Sequence, residues 1–216
     1  MIQKIGITMR VDTPKEYDEP RDCLAQDWGH FMKYALPETQ WVPVPNIGGD
    51  VEAFIKEWNL EGIILSGGND IGSQPQRDET EKRIISYCLK NTLPLFGVCR
   101  GLQMLQHYSG GPLKNCDKNI HVAKAHPVSI TGSFAKQWGI ETEILVNSYH
   151  NYGILKGDLC AQLIPFAFSQ DGCVEGVSIK DAKALAVMWH PERHKPYREF
   201  DLLMIRKLFG YKEVLA

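Results

Sequence analysis

One cysteine has the sequence surroundings of a nucleophile. Cys99 follows the apolar run L-P-L-F-G-V and precedes Gly101 and a helix-like segment, so the chain must turn from a strand into a helix at the cysteine. The pattern G-x-C-x-G is the cysteine form of a nucleophile elbow, whose glycines allow a tight turn and close packing of helix on strand. A helix N-terminus also favours thiolate over thiol. The alternative, a buried cysteine that only packs, is weakened by the remaining motifs.

A histidine and a glutamate late in the chain complete a hydrolytic set. His190 ends the strand-like run A-L-A-V-M-W, a proline keeps the next residue extended, and Glu192 can orient the imidazole. Gly68 lies in S-G-G-N-D, where glycine lets a backbone N–H turn toward the cysteine. The sequence therefore predicts that Cys99, His190 and Glu192 act together, and that the amides of Gly68 and Arg100 form an oxyanion hole.

Two histidine pairs have spacings that invite a metal interpretation. His190 and His194 are four residues apart, but the intervening proline is incompatible with the helix that a zinc-binding H-x-x-x-H motif needs. His121 and His126 have no carboxylate or thiolate partner at metal-ligand spacing. The sequence therefore predicts no metal site, and we expect no cofactor.

Composition favours a soluble globular protein with a small molecule as its partner. The chain has 216 residues, 44% of them hydrophobic and 23% charged, which suits one domain. A net charge of −2 gives no basic field for nucleic acid or an anionic membrane. No apolar run approaches the roughly 20 residues of a membrane span. Six cysteines without a C-x-x-C pair are typical of reduced thiols, so a cytoplasmic location is expected.

Strand-like and helix-like segments alternate along the first half, as in a parallel α/β sheet. Strands are predicted at residues 4–9, 41–44, 62–65 and 93–98, and helices at 24–36, 51–58, 78–91 and 100–108. The second half predicts shorter β segments at 128–131, 143–146, 160–168, 174–179 and 184–188, and a last helix near 197–208. Ligands bind beyond the carboxyl ends of parallel strands, so the loops at 9–22 and 66–77 should lie beside Cys99.

Four segments occur in an order that resembles a known family: S-G-G-N-D, P-L-F-G-V-C-R-G-L-Q-M-L, V-N-S-Y-H and M-W-H-P-E-R. They are similar to the motifs of class I glutamine amidotransferase-like hydrolases, particularly the gamma-glutamyl hydrolase branch. The resemblance implies a flavodoxin-like three-layer α/β sandwich with a mostly parallel central sheet. It also implies that residues 1–216 form a single class I glutamine amidotransferase-like domain.

The resemblance assigns roles to individual residues. It implies that Cys99 forms a gamma-glutamyl thioester, with His190 as acid and base and Glu192 as its orienter. Gln103, four residues after the cysteine, is expected to help hold the glutamyl group. The V-N-S-Y-H segment is expected to meet the amino and carboxylate groups of that glutamyl moiety through Asn147, Ser148, Tyr149 and His150.

The leaving group is a separate question. Basic residues in or next to the predicted carboxyl-end loops indicate a locally basic site and a phosphate- or nucleotide-bearing leaving group, unless they are ordinary solvated charges. These residues are Arg10, Arg77, Arg100, Arg193 and Lys195. Candidate substrates are gamma-glutamyl-CDP-amidate, gamma-glutamyl polyamines and folyl polyglutamates. Two other functions are a glutaminase that delivers ammonia to a separate synthetase partner, and a non-catalytic binding protein of the same fold.

Overall fold

The computed structural model of the protein describes residues 3–211. Its strands are β1 (Lys4–Thr8), β2 (Arg10–Asp12), β3 (Arg21–Cys23), β4 (Gln40–Val44), β5 (Gly62–Leu65), β6 (Leu95–Val98), β7 (Lys114–Asn115), β8 (Val122–Ile130), β9 (Glu143–Tyr149), β10 (Tyr152–Gly153), β11 (Leu163–Ser169), β12 (Val174–Ile179) and β13 (Ala184–Val187). Its α-helices are α1 (Asp27–Ala35), α2 (Val51–Glu57), α3 (Pro75–Asn91), α4 (Arg100–Tyr108), α5 (Lys118–His121), α6 (Gly132–Trp138) and α7 (Glu199–Phe209).

A single large sheet organises the fold. Within the described residues, nine strands pair in the order β4-β1-β5-β6-β13-β12-β11-β8-β9. The first five strands in this order, which end with β13, run parallel to one another. The remaining four, which begin with β12, pair antiparallel. Strands β5, β6 and β13 are buried at every position, as parallel strands covered on both faces must be. The short β segments predicted in the second half therefore extend the same sheet.

Helices cover both faces of this sheet and give three layers. Helices α1, α6 and α7 contribute to one apolar core, which includes Phe31, Phe134 and Met204. Helices α2, α3 and α4 contribute to the other, which includes Ile55 and Ile85. This architecture confirms the predicted α/β sandwich. None of the helices within residues 3–211 is long and apolar enough to cross a membrane.

Some elements differ from the sequence-based prediction. The segment predicted as a polar loop, residues 9–22, contains β2, which pairs antiparallel with β3. Helix α3 begins at Pro75, three residues before the predicted start, because proline suits the first turn, where no N–H partner is required. The sequence pattern does not predict the short helices α5 and α6, because too few apolar residues repeat in them to give a helical period.

Two glycines let α4 pack directly on the sheet. A β-carbon at Gly101 would lie 2.7 Å from the carbonyl oxygen of Leu65 in β5. A β-carbon at Gly97 would lie 2.8 Å from the Ala186 β-carbon and 2.9 Å from the Gly101 carbonyl carbon. Real β-carbons do not approach other atoms so closely, so both positions of the G-x-C-x-G motif require glycine.

We expect Gly101→Ala to destabilise the protein by about 1–3 kcal/mol, because its methyl group must push α4 away from the Leu65 backbone. Urea unfolding of the full chain measures this change. Gly157→Ala is the matched control, since its β-carbon would have no neighbour within 4 Å. Equal stability of the two variants would contradict the close packing.

Candidate active site

Cys99 occupies the turn between β6 and α4 in a strained conformation. Its φ of 50° and ψ of −98° lie where non-glycine residues are rare, which costs about 1–3 kcal/mol. The Cys99 amide donates a hydrogen bond to the Val187 carbonyl oxygen at 2.8 Å, which ties the turn to β13. The residue is 7% exposed. The chain thus has the predicted sharp turn from strand to helix at Cys99.

His190 follows β13, the strand that pairs with β6, and therefore reaches the same end of the sheet as Cys99. Its Nδ1 atom lies 2.7 Å from the Oε1 atom of Glu192, and both side chains are buried. The structure thus brings together Cys99, His190 and Glu192.

The surroundings of His190 favour its protonated form. Burial lowers the pKa of His190, but the Glu192 carboxylate and the charge and hydrogen bond of the Cys99 sulfur outweigh burial and raise it to about 9. Near pH 7 the imidazole therefore carries a proton. A protonated imidazole beside a cysteine can stabilise a thiolate and later donate its proton to a leaving amine.

Asn147 fixes the backbone that carries His190. The Asn147 Nδ2 atom donates to the His190 carbonyl oxygen at 2.9 Å, and the His190 amide donates to Asn147 Oδ1 at 2.8 Å. The amide group of Asn147 is thus engaged in holding the histidine.

The other residues of the V-N-S-Y-H segment point in different directions. Tyr149 is exposed, and its ring meets the His190 ring edge to face at 5.7 Å. Ser148 is buried, and its hydroxyl donates to the His121 carbonyl oxygen at 2.8 Å. His150 is buried beside His121, His126 and Glu175, outside the Cys99, His190 and Glu192 arrangement. Among these three side chains, Tyr149 is the one that borders the site.

The glycine loop after β5 closes over His190. A β-carbon at Gly67 would lie 2.7 Å from His190 Cε1, so only glycine fits against the imidazole. Gly68 has a φ of +104°, which glycine adopts readily. Arg77 supports this loop, because its Nη2 atom donates to the carbonyl oxygens of Ser66 at 2.9 Å and Gly67 at 3.1 Å. Sequence reasoning missed this role.

A buried charge network lies under the loop. Arg77 donates through Nε to Glu81 at 3.0 Å, and Arg100 forms ion pairs with Glu81 and Asp78. Burial raises the pKa of Glu81, but Arg100 and Arg77 outweigh burial and hold it below its usual value. The predicted basic cluster is therefore wrong for Arg77 and Arg100, whose guanidinium groups are buried and neutralised by carboxylates. The i,i+4 spacing of Arg77 and Glu81 in the sequence could have indicated their ion pair.

The remaining predicted residues lie around the same loops. Arg100 begins α4, and an amide in the first turn of a helix has no carbonyl partner within that helix. Gln103 is buried, and its Nε2 atom donates to the Tyr152 carbonyl oxygen at 2.8 Å. Arg10 is exposed. It lies next to Gly68, because a β-carbon built at Gly68 would be 3.0 Å from Arg10 Cβ.

Comparison with known proteins agrees with the class of protein that this fold and site indicate, a cysteine-dependent amide hydrolase. The family model described as Peptidase C26 matches residues 4–192. The chain therefore belongs to the Peptidase C26 family, whose fold is that of class I glutamine amidotransferases.

Individual relatives support this placement. The chain is 32% identical to the gamma-glutamyl-CDP-amidate hydrolase of Campylobacter jejuni, over 92% of this chain and 94% of the relative. It is 28% identical to the gamma-glutamyl-gamma-aminobutyrate hydrolase of Escherichia coli, over 75% of this chain and 67% of the relative. A solved structure from Thermoplasma acidophilum, described as part of a GMP synthase, has the same fold, with a TM-score of 0.72 and 22% identity over 97% of this chain and 94% of that one.

We expect Glu192→Gln to lower the pKa of His190 from about 9, because the carboxylate that favours the imidazolium is lost. When the pH is raised, the His190 imidazole of the variant therefore loses its proton at a lower pH than that of the parent protein. NMR titration of ring-labelled histidine measures the change. Glu199→Gln, an exposed glutamate at the start of α7, is the control. An unchanged His190 titration in Glu192→Gln would contradict the pairing.

Asn147→Ala should lower kcat by about tenfold to a hundredfold and leave KM almost unchanged, because the amide positions His190 through two backbone hydrogen bonds. Steady-state kinetics of amide hydrolysis separates the two constants. The exposed Asn151→Ala variant is the control. A rise in KM at constant kcat would instead assign Asn147 to substrate binding.

Proposed function

We propose that this protein hydrolyses a gamma-glutamyl amide through a thioester on Cys99 and releases glutamate. The observation that carries the proposal is the placement of Cys99 in a strained elbow beside His190, which Glu192 holds at 2.7 Å. The relatives support the acyl group, because two of them are named as gamma-glutamyl hydrolases. Residues 1–216 would then act as one domain on a small molecule.

The first chemical step forms the acyl-enzyme. The Cys99 thiolate attacks the gamma-carbonyl carbon, and the His190 imidazolium gives its proton to the departing nitrogen as the C–N bond breaks. The backbone amides of Gly68 and Arg100 stabilise the oxyanion that develops on the carbonyl oxygen. Glu192 keeps the imidazole ring in position throughout.

The second step releases glutamate. His190, now neutral, takes a proton from water, and the resulting hydroxide attacks the thioester carbon. The C–S bond breaks and frees the Cys99 thiolate, which again pairs with the protonated imidazole of His190. We assign recognition of the glutamyl group to Gln103 and Tyr149, whereas Asn147 positions His190, and Ser148 and His150 are buried outside the site. Of these, Tyr149 is the exposed side chain nearest to His190.

We assign a phosphate-bearing leaving group to this site, with Arg10 as its recognition residue. Arg77 and Arg100 are neutralised, so Arg10, Arg193 and Lys195 are the exposed cations left from the predicted basic set. Arg10 is next to Gly68, one of the oxyanion residues. Arg193 packs over the Tyr149 ring at 5.0 Å and lies 3.5 Å from Glu192. The Campylobacter relative, named for a CDP-amidate substrate, supports this class.

Glutamate release from a matched set of conjugates tests both parts of the proposal. Gamma-glutamyl-CDP-amidate, a gamma-glutamyl polyamine and glutamine are compared, and Cys99→Ala should abolish release from all of them. Arg10→Ala should raise KM for the nucleotide conjugate by about tenfold, because it removes a hydrogen bond between charged groups, with no effect on the polyamine. Exposed Lys136→Ala is the control.

Each outcome bears on a different part of the proposal. Equal rates with the polyamine and the nucleotide would refute the phosphate-bearing leaving group while keeping the hydrolase. Glutamate release from glutamine alone, rising sharply when a synthetase is added, would instead identify a glutaminase that serves that synthetase. Turnover by Cys99→Ala would contradict the nucleophile assignment.

A further inference from the structure

A second cluster of reactive side chains lies in the antiparallel half of the sheet. The histidine-glutamate cluster consists of His121 at the end of α5, His126 in β8, His150 after β9 and Glu175 in β12. One nitrogen or oxygen atom from each lies within 4.8 Å of the others. The four residues are at most 6% exposed. Four separate chain segments thus converge on one buried point.

Each imidazole of the cluster is oriented from its outer side. One ring nitrogen of every histidine faces an oxygen that can only accept a hydrogen bond at neutral pH, so that nitrogen carries the proton. For His121, His126 and His150 in turn, the acceptors are Asp171 Oδ2 at 2.8 Å, the Pro127 carbonyl oxygen at 3.2 Å and the Tyr152 carbonyl oxygen at 3.0 Å. A neutral histidine bonded in this way presents a lone pair on its other nitrogen. Metal-ligating histidines usually have such an outer partner.

The inward-facing atoms have no hydrogen-bond partner. Among residues 3–211 this holds for His121 Nδ1, His126 Nε2, His150 Nε2 and both carboxylate oxygens of Glu175. The three nitrogens lie 3.7, 4.0 and 3.6 Å from Glu175 Oε1, beyond the range of an N–H···O hydrogen bond. A buried carboxylate among three imidazole nitrogens that it does not hydrogen-bond needs a positive charge beside it, and a cation between the four groups supplies that charge.

The donor set and its dimensions select the cation. Imidazole and carboxylate ligands at about 2.0–2.2 Å in a tetrahedron have ligand atoms about 3.4 Å apart, close to the distances from Glu175 to the three nitrogens. Three nitrogen donors disfavour Mg²⁺ and Ca²⁺, which prefer oxygen. Four protein ligands fill a tetrahedral shell, whereas catalytic zinc keeps one position open.

We propose that His121, His126, His150 and Glu175 bind a structural Zn²⁺ ion. The ion joins β8, β9 and β12, the last of which pairs with β13 just before His190. The Glu175 carbonyl oxygen accepts from the Met188 amide at 2.8 Å, two residues before His190. The Tyr152 carbonyl oxygen accepts from both His150 and Gln103. The zinc site therefore braces the strands next to the proposed active site without entering its chemistry.

This site revises the interpretation of His121 and His126 as a pair without partners. Their partners come from segments 24 and more residues away, so local spacing does not reveal them. A different set, formed by Cys116, His121 and Cys173, shares one histidine with the cluster and offers two sulfur ligands. The experiment must separate the two sets.

Metal analysis of the full chain, purified without a polyhistidine tag, tests the proposal. We expect about one zinc per chain by plasma mass spectrometry. Glu175→Gln should weaken zinc binding at least about tenfold in competition with a chromophoric chelator, because it removes the anionic ligand. Exposed His30→Gln should bind zinc as the parent protein does. Absence of metal from the parent protein, or unchanged affinity in Glu175→Gln, overturns the site.

Cobalt substitution decides the ligand set even if Glu175→Gln fails to fold. Parent protein stripped of zinc and loaded with Co²⁺ should give the visible absorption of a tetrahedral ion without thiolate charge-transfer bands. Strong thiolate charge transfer, lost in Cys173→Ser, would place the metal on the cysteine set and overturn the proposal. The stripped protein should also melt at a lower temperature than the zinc form, since the metal binds only the folded site.

Discussion

The strained backbone of Cys99, with its positive φ, is the constraint on which the arrangement of the site depends. A cysteine at φ 50° raises the energy of the folded chain by about 1–3 kcal/mol, so the contacts on either side must hold it there. Gly97 and Gly101 allow those contacts, because α4 meets β5 and β6 with no side chain between them. The sulfur is thereby held at the carboxyl end of the parallel strands, beside His190.

Buried charge supports the same region from the neighbouring loop. Glu81 pairs with Arg77 and Arg100, and Arg77 also bonds the backbone of the glycine loop. Removing one partner of a buried ion pair costs about 3–5 kcal/mol, because the other charge is left uncompensated. These arginines therefore stabilise the loop, and in the function we propose the recognition of an anionic leaving group is assigned to the exposed Arg10.

The sequence allowed site residues to be predicted where a motif directly follows the end of a strand. Cys99 and His190 each follow an apolar run, and Glu192 lies two residues after His190. Parallel strands bring such ends together, so the proximity of the three residues could be predicted. The bonds between Asn147 and the His190 backbone depend on how β9 lies relative to the chain after β13, which no local pattern encodes. Glu175 could not be predicted for the same reason, because the antiparallel pairing of strands brings its distant partners to it. The role of Arg100 could not be predicted because its charge alone does not reveal a buried partner.

Among the strands within residues 3–211, β13 comes last along the chain but occupies the middle of the sheet, between β6 and β12. Proteins are synthesised from the N-terminus, so β6 and β12 both have an unpaired side until β13 emerges. An incomplete chain therefore carries Cys99 before the histidine that pairs with it, together with two open strands that can pair with other chains. Pairing of β13 with both strands covers their open edges and brings His190 to Cys99, so protection from aggregation and formation of the site are coupled.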